Sequence, residues 1–172
     1  MTQTAPTTRF HWIQTRLFDS TYQLSDGQTT VAQLSFPRRF GSFARAETAT
    51  GTFTFKRIGF WHTRATVRRE GADTDLAVFE HNTWSGGGTL TLADGRVIRI
   101  STNFWQSRIE WQWADGRPLF RYETEGFMRL GASLELAAGA DALPELLWML
   151  SFGWYLVVML QRDQATQAVI IS

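Results

Sequence analysis

One stretch constrains the possible folds of this chain more than any other: LPELLWMLSFGWYLVVMLQRD, Leu143 to Asp163. Thirteen of the fifteen residues from Leu146 to Leu160 are apolar, and the other two are Ser151 and Gly153. No polar stripe runs along it, so it is not an amphipathic helix resting on a surface. Each such side chain is worth about 1.5–3 kcal/mol when fully buried. Together they exceed the ~5–15 kcal/mol net stability of a whole domain, so the segment must be covered. Asp141 is placed to cap a helix and Pro144 to occupy its first turn, where no amide hydrogen is needed. Glu145 suits the positive end of the helix dipole and Arg162 the negative end. A helix is expected over about residues 143–162.

Lipid or protein can cover it. From Pro144 to Leu160 there are 17 residues, about 25 Å of helix, against the ~30 Å of a bilayer core. The flanks offer little anchoring, and Trp148, Trp154 and Tyr155 do not form an interfacial belt. The chain then continues into AVII (168–171), which reads as a last strand.

The preceding residues supply a wall. TFTF (52–55), TLTL (89–92) and IEWQW (109–113) alternate with period two, as half-buried strands do. TRATVRRE (63–70), DLAVFEH (75–81) and GASLELAA (131–138) add candidates. Asp-Gly occurs at 26–27, 94–95 and 115–116, each time between strand-like runs. Gly takes positive φ without steric cost and Asp tolerates it, so the pair suits tight hairpins. About eleven or twelve short strands are expected between residues 10 and 138. A barrel of about eight strands is filled by side chains alone, whereas eleven or twelve leave room for a helix about 10–12 Å across. The expected fold is mainly β: an antiparallel meander closed into a barrel of about 11–12 strands, enclosing the C-terminal helix. Residues 1–9 read as a loose polar tail, and 10–172 as one domain.

This arrangement resembles the tubby C-terminal-like superfamily, which includes the phospholipid scramblases and the plant LURP-one-related proteins. The residues that carry the resemblance are YQLSDGQTTVAQL (22–34), FTFKR (53–57), GGTLTLADGRVIRIS (87–101) and the helix at 144–160. It implies a barrel of roughly twelve strands around a central helix, and a mostly non-enzymatic role linked to membranes, lipid headgroups or signalling. Scramblase-like members carry cysteine-rich and calcium-associated segments. This chain has no Cys and no acidic calcium loop, so scrambling is not implied.

Composition excludes more than it selects. A net charge of +1 gives no support to nucleic-acid binding. Sixteen of the seventeen basic residues are Arg, which suits phosphate or carboxylate recognition and equally a GC-rich coding bias. Without Cys there are no disulfides, thiolate metal sites or cysteine nucleophiles. The start, MTQTAPTTRFHW, has no apolar run of the secretory kind. With the lack of Cys this points to the cytoplasm.

Candidate sites are few. His11, His62 and His81 are widely spaced and read as ordinary surface or turn residues, not metal ligands. SGGGT (85–89) lacks the phosphate-loop Lys and reads as a flexible turn. Asp73 with Asp75, and Glu123 with Glu125, have strand spacing that puts each pair on one face, and read as solvated acids. No catalytic residue, metal or cofactor is expected. FPRRF (36–40) sets Arg38 and Arg39 between two Phe, and FKRIGFW (55–61) sets Lys56 and Arg57 beside Phe60 and Trp61. Such forks either grip phosphate at a membrane surface or on an acidic partner, or lay their stems over neighbouring rings. The sequence therefore predicts a binding or scaffold module without enzymatic activity, in the cytoplasm or peripheral at a membrane. Its candidate ligand is an anionic lipid headgroup or acidic protein surface near Arg38, Arg39, Lys56 and Arg57. The rivals are a membrane anchor formed by the C-terminal helix, and a barrel that holds an apolar small molecule.

Overall fold

The fold is described from a computed structural model, covering residues 9–16, 19–59, 64–82, 87–103, 107–125 and 130–171. Twelve strands follow in order: β1 (Arg9–Gln14), β2 (Thr21–Ser25), β3 (Thr30–Ser35), β4 (Ala44–Thr48), β5 (Gly51–Ile58) and β6 (Arg64–Arg69), then β7 (Asp75–His81), β8 (Gly88–Leu92), β9 (Val97–Thr102), β10 (Arg108–Trp113), β11 (Pro118–Glu125) and β12 (Gly131–Leu136). Each pairs antiparallel with the next, and β12 pairs with β1 to close the barrel. A short 3-10 turn, Ala140–Ala142, leads to one helix, α1 (Leu146–Ile171), which threads the barrel.

The alternation read in the sequence is the inside–outside pattern of the wall. Leu24, Leu34, Phe55, Val67, Leu90, Ile98, Tyr122 and Leu134 point inward and are fully buried. They meet Met149, Leu150, Phe152, Trp154 and Tyr155 of the helix in one continuous core. The helix is off-centre. It runs closest to β3, β4 and β5, where the inward positions include Ala32, Ala44 and Ala46. Small side chains let a helix approach a sheet, and the opposite wall fills the wider gap with Trp111, Phe120 and Tyr122. Tyr122 spans that gap and donates a 2.6 Å hydrogen bond to the Leu150 carbonyl.

Antiparallel order gives the barrel two unlike ends. The helix enters at one, where the hairpins are tight. All three Asp-Gly turns lie there, with Gly27, Gly95 and Gly116 at φ of 96°, 90° and 90°. Each Asp also accepts from a backbone N–H two residues on: Gln28 to Asp26 at 2.9 Å, Arg96 to Asp94 at 3.0 Å and Arg117 to Asp115 at 3.1 Å. These amide bonds, with the Thr29 N–H to Asp26 at 2.8 Å as the larger contribution there, hold the three carboxyls below their ordinary range, helped at the latter two by the Arg96 and Arg117 side chains. A carboxyl with a lowered folded-state pKa contributes stability that is present above its unfolded value, about 3.9, and lost as pH falls through the folded one. The thermal midpoint should therefore hold steady down to about pH 5 and fall below about pH 4. Melting curves of the Asp26→Asn/Asp94→Asn/Asp115→Asn variant should show a shallower fall.

Several local expectations are corrected. AVII (168–171) is helical, because a closed barrel has no free edge for a further strand. Asp141 does not cap α1. It lies in the 3-10 turn, Pro144 sits in the turn that follows, and the Glu145 carbonyl takes the first helical bond, from Met149 at 3.0 Å. Glu145 does stand at the helix start, and its carboxylate pairs with Arg96 of the β8–β9 turn. Arg162 is not near the helix C-terminus, since α1 continues to Ile171. Arg9, assigned to the tail, already belongs to β1, and Asp73 precedes β7. Of SGGGT, Ser85 and Gly86 lie outside the described residues. Gly87 and Gly88 are buried by close packing: a Cβ would sit 2.0 Å from the Ile100 carbonyl oxygen at Gly87, and 2.4 Å from the Phe79 ring at Gly88.

Candidate functional site

The helix leaves the barrel at the other end, and residues 36–43, between β3 and β4, are tied to it there. The Tyr155 hydroxyl donates to the Ser42 carbonyl at 2.7 Å, and an Arg162 N–H to the Gly41 carbonyl at 3.1 Å. The Phe36 ring stacks on Tyr155 at 5.9 Å, and the Arg162 guanidinium lies 4.1 Å from its centroid. Burial raises the Tyr155 hydroxyl well above its ordinary value and lowers Arg162. Both are therefore structural donors at neutral pH: Tyr155 keeps its proton and Arg162 its charge.

The tip held by these bonds is Arg38-Arg39-Phe40. All three are exposed, Phe40 at 96%, and neither Arg has an ion-pair partner among the described residues. Ala44 pairs with Phe55, so Lys56 and Arg57 flank the base of the same loop. Lys56 is exposed, and the Ser42 hydroxyl donates to the Arg57 carbonyl at 3.3 Å. The four basic residues named from sequence thus fall at one end of the barrel, but they are not equivalent. Arg57 is engaged by Asp163 of α1 at 2.6 Å. Phe60 and Trp61 lie outside the described residues.

The same end collects exposed apolar surface. Among the described residues the exposed large hydrophobics are Ile13, Phe40, Phe43, Ile58, Val169 and Ile170. Ile13 and Ile58 lie at or next to the strand ends that reach this rim, Phe40 and Phe43 in or beside the tied loop, and Val169 and Ile170 on the projecting helix. The entry end carries Asp26, Glu70, Asp73, Asp94, Asp115 and Asp141 in its connections, against Arg96 and Arg117. The barrel is thus polarised, basic and apolar at one rim and acidic at the other.

No family model, curated protein or solved structure matches the chain.

The other candidates do little at either rim. Asp75 pairs with Arg68 at 2.6 Å and Glu123 with Arg108 at 3.4 Å, across neighbouring strands. His11 and His81 are exposed on β1 and β7, and His62 lies outside the described residues. Among the described residues no three His, Cys, Asp or Glu converge as metal ligands. Most of α1 from Leu146 to Met159 is buried inside the sheet, and no helix among the described residues is long and apolar enough to cross a membrane. This overturns the reading of the C-terminal helix as an anchor in lipid.

Enclosing the helix, however, does not close the barrel interior completely. Among the described residues a hollow of about 340 Å³ remains between α1 and the wall from β5 to β10, on the side of the exit rim. Sequence reasoning offered a barrel that holds an apolar small molecule as a rival but did not locate this hollow, and it missed Arg162, Tyr155 and Phe36 as the ties of the basic loop. Those residues meet only through contacts more than a hundred positions apart, and no local pattern announces such a pairing.

Proposed function

We propose that the protein is a non-enzymatic binding module that docks its helix-exit rim on an anionic membrane surface. One observation carries this reading: two Arg without an ion-pair partner among the described residues and an almost fully exposed Phe share a loop tip that is tied to the helix, at the rim where the exposed large apolar side chains gather. Basic residues near an anionic surface contribute about 1 kcal/mol each, and an aromatic side chain at headgroup level adds apolar contact. The ties from Tyr155 and Arg162 reduce the ordering cost of presenting the tip. The acidic entry end disfavours the opposite orientation. We further propose kinship with the tubby-like superfamily, which the barrel-around-helix plan supports.

Vesicle flotation tests the docking. Phosphatidylglycerol-containing vesicles should carry the protein up and phosphatidylcholine vesicles should not. Arg38→Ala/Arg39→Ala should weaken binding roughly ten- to thirtyfold, and about 0.5 M salt should weaken it further. Equal recovery with both vesicle types would count against the membrane and leave an acidic protein surface as the partner for these guanidiniums.

A further inference from the structure

We propose that the hollow between α1 and the β5–β10 wall is a ligand site for one apolar chain with a hydrogen-bonding end, such as a fatty acid or fatty alcohol. Its size, about 340 Å³, lies in the range of small-molecule sites, roughly 300–1,000 Å³. More telling is the order of its lining. On the helix, Leu156, Met159 and Leu160 face it, and the same stripe continues outward as Asp163, Gln164 and Gln167, the i, i+3, i+4, i+7, i+8 spacing of one helix face. On the wall, Phe79 is followed two residues later by His81, and Ile100 by Thr102, again on one face. Helix and strands therefore change from apolar to polar toward the mouth together. A molecule that is apolar along its length and polar at one end matches that order.

The electrostatics at the mouth narrow the class. Arg57 and Asp163 neutralise one another at 2.6 Å, so the hollow does not select by net charge, and His81, Thr102 and Gln167 offer hydrogen bonds to a carboxyl or hydroxyl alike. The apolar walls are preformed: Phe79, Ile100, Ile109 and Met159 are 5–8% exposed, whereas Phe152 and Leu150 deeper in the core are at 0%. Ala65 sits in the wall where a larger side chain would occupy the space. The origin of the hollow is the off-centre helix. Trp111, Phe152 and Phe79 form one ring cluster on the wide side, and beyond Phe152 the apolar helix residues that line the hollow are Tyr155, Leu156, Val157, Met159 and Leu160.

The site is independent of membrane docking, and its test contains no vesicles. The full-length protein is titrated with cis-parinaric acid, a fluorescent fatty acid, which is then displaced by dodecanoic acid and, separately, by dodecanol. Saturable binding near one molecule per chain is expected, with both competitors effective. A response to dodecanoic acid alone would overturn the charge-indifferent mouth. Ala65→Phe and Leu156→Trp should each fill part of the hollow, weakening binding roughly tenfold or more. In the unmodified protein the Met159 methyl resonance should shift on saturation, while that of Met149, at 0% exposure, should stay in place. The proposal fails if the wild-type chain shows no saturable binding, if both cooperatively melting variants bind as well as wild type, or if binding leaves Met159 undisturbed.

Discussion

Phe152→Ala should lower the free energy of unfolding by about 3–5 kcal/mol, the range for removing a large buried aromatic side chain. Phe152 is fully buried, and its ring is the junction between the helix and three parts of the wall. It meets Phe55 of β5 edge-on at 5.3 Å, Phe79 of β7 at 6.2 Å and Trp111 of β10 at 6.5 Å, and it stacks on Tyr155 at 5.7 Å. The rings of Phe55, Phe79 and Trp111 belong to strands held in a closed hydrogen-bonded cylinder, which cannot collapse inward to fill a void. The cost should therefore fall in the upper part of the range, since it grows with the cavity that remains. Urea unfolding followed by Trp fluorescence measures it. A loss below about 1.5 kcal/mol, the level of a tolerated volume-conserving swap, would mean that the wall relaxes onto the helix and that the barrel is softer than its closure implies.

Gly153→Ala should also destabilise, although local preference says the opposite. In an isolated helix the change is worth about 1 kcal/mol in favour of Ala. Here an added Cβ would lie 2.5 Å from the Tyr122 hydroxyl oxygen and under 3 Å from two of its ring carbons. Tyr122 cannot swing away, because it is fully buried and its hydroxyl is bonded to the Leu150 carbonyl. Overpacking of this kind costs about 1–3 kcal/mol and occasionally more, so after the ~1 kcal/mol helix preference for Ala the net expectation is a loss of up to about 2 kcal/mol. Removing the hydroxyl with Tyr122→Phe should recover part of it. A double-mutant cycle by urea denaturation reads the coupling directly, and additive single changes would show that Gly153 is not the point of contact.

Gly153 also illustrates how far local reading reaches. In the sequence it is one of two interruptions in an apolar run. Only its position beneath Tyr122, 31 residues earlier in the chain, explains why a residue without a side chain stands there. The Asp-Gly turns are the reverse case: backbone conformation and the Asp carboxylate act over three or four residues, so the hairpins and the strands they join were readable directly. AVII misled because its composition favours a strand, and β-propensity has no outlet when β1 and β12 already pair with one another. The basic candidates were legible as residue types but not as a site. That Arg38 and Arg39 have no ion-pair partner among the described residues while Arg57 is held by Asp163 depends on where the helix emerges.

By itself the sequence determined that the run from Leu146 to Leu160 needed enclosure, that the strands before it alternate, and that enough of them exist to surround a helix. These follow from transfer free energy and side-chain period, which act residue by residue. The tertiary structure alone decided that the helix leans on the Ala-lined strands, that a hollow opens on the far side, and that the basic and exposed apolar residues gather at one rim. Each of these depends on the sizes and charges of side chains brought face to face from distant parts of the chain, and distance along the chain does not encode which of them will meet.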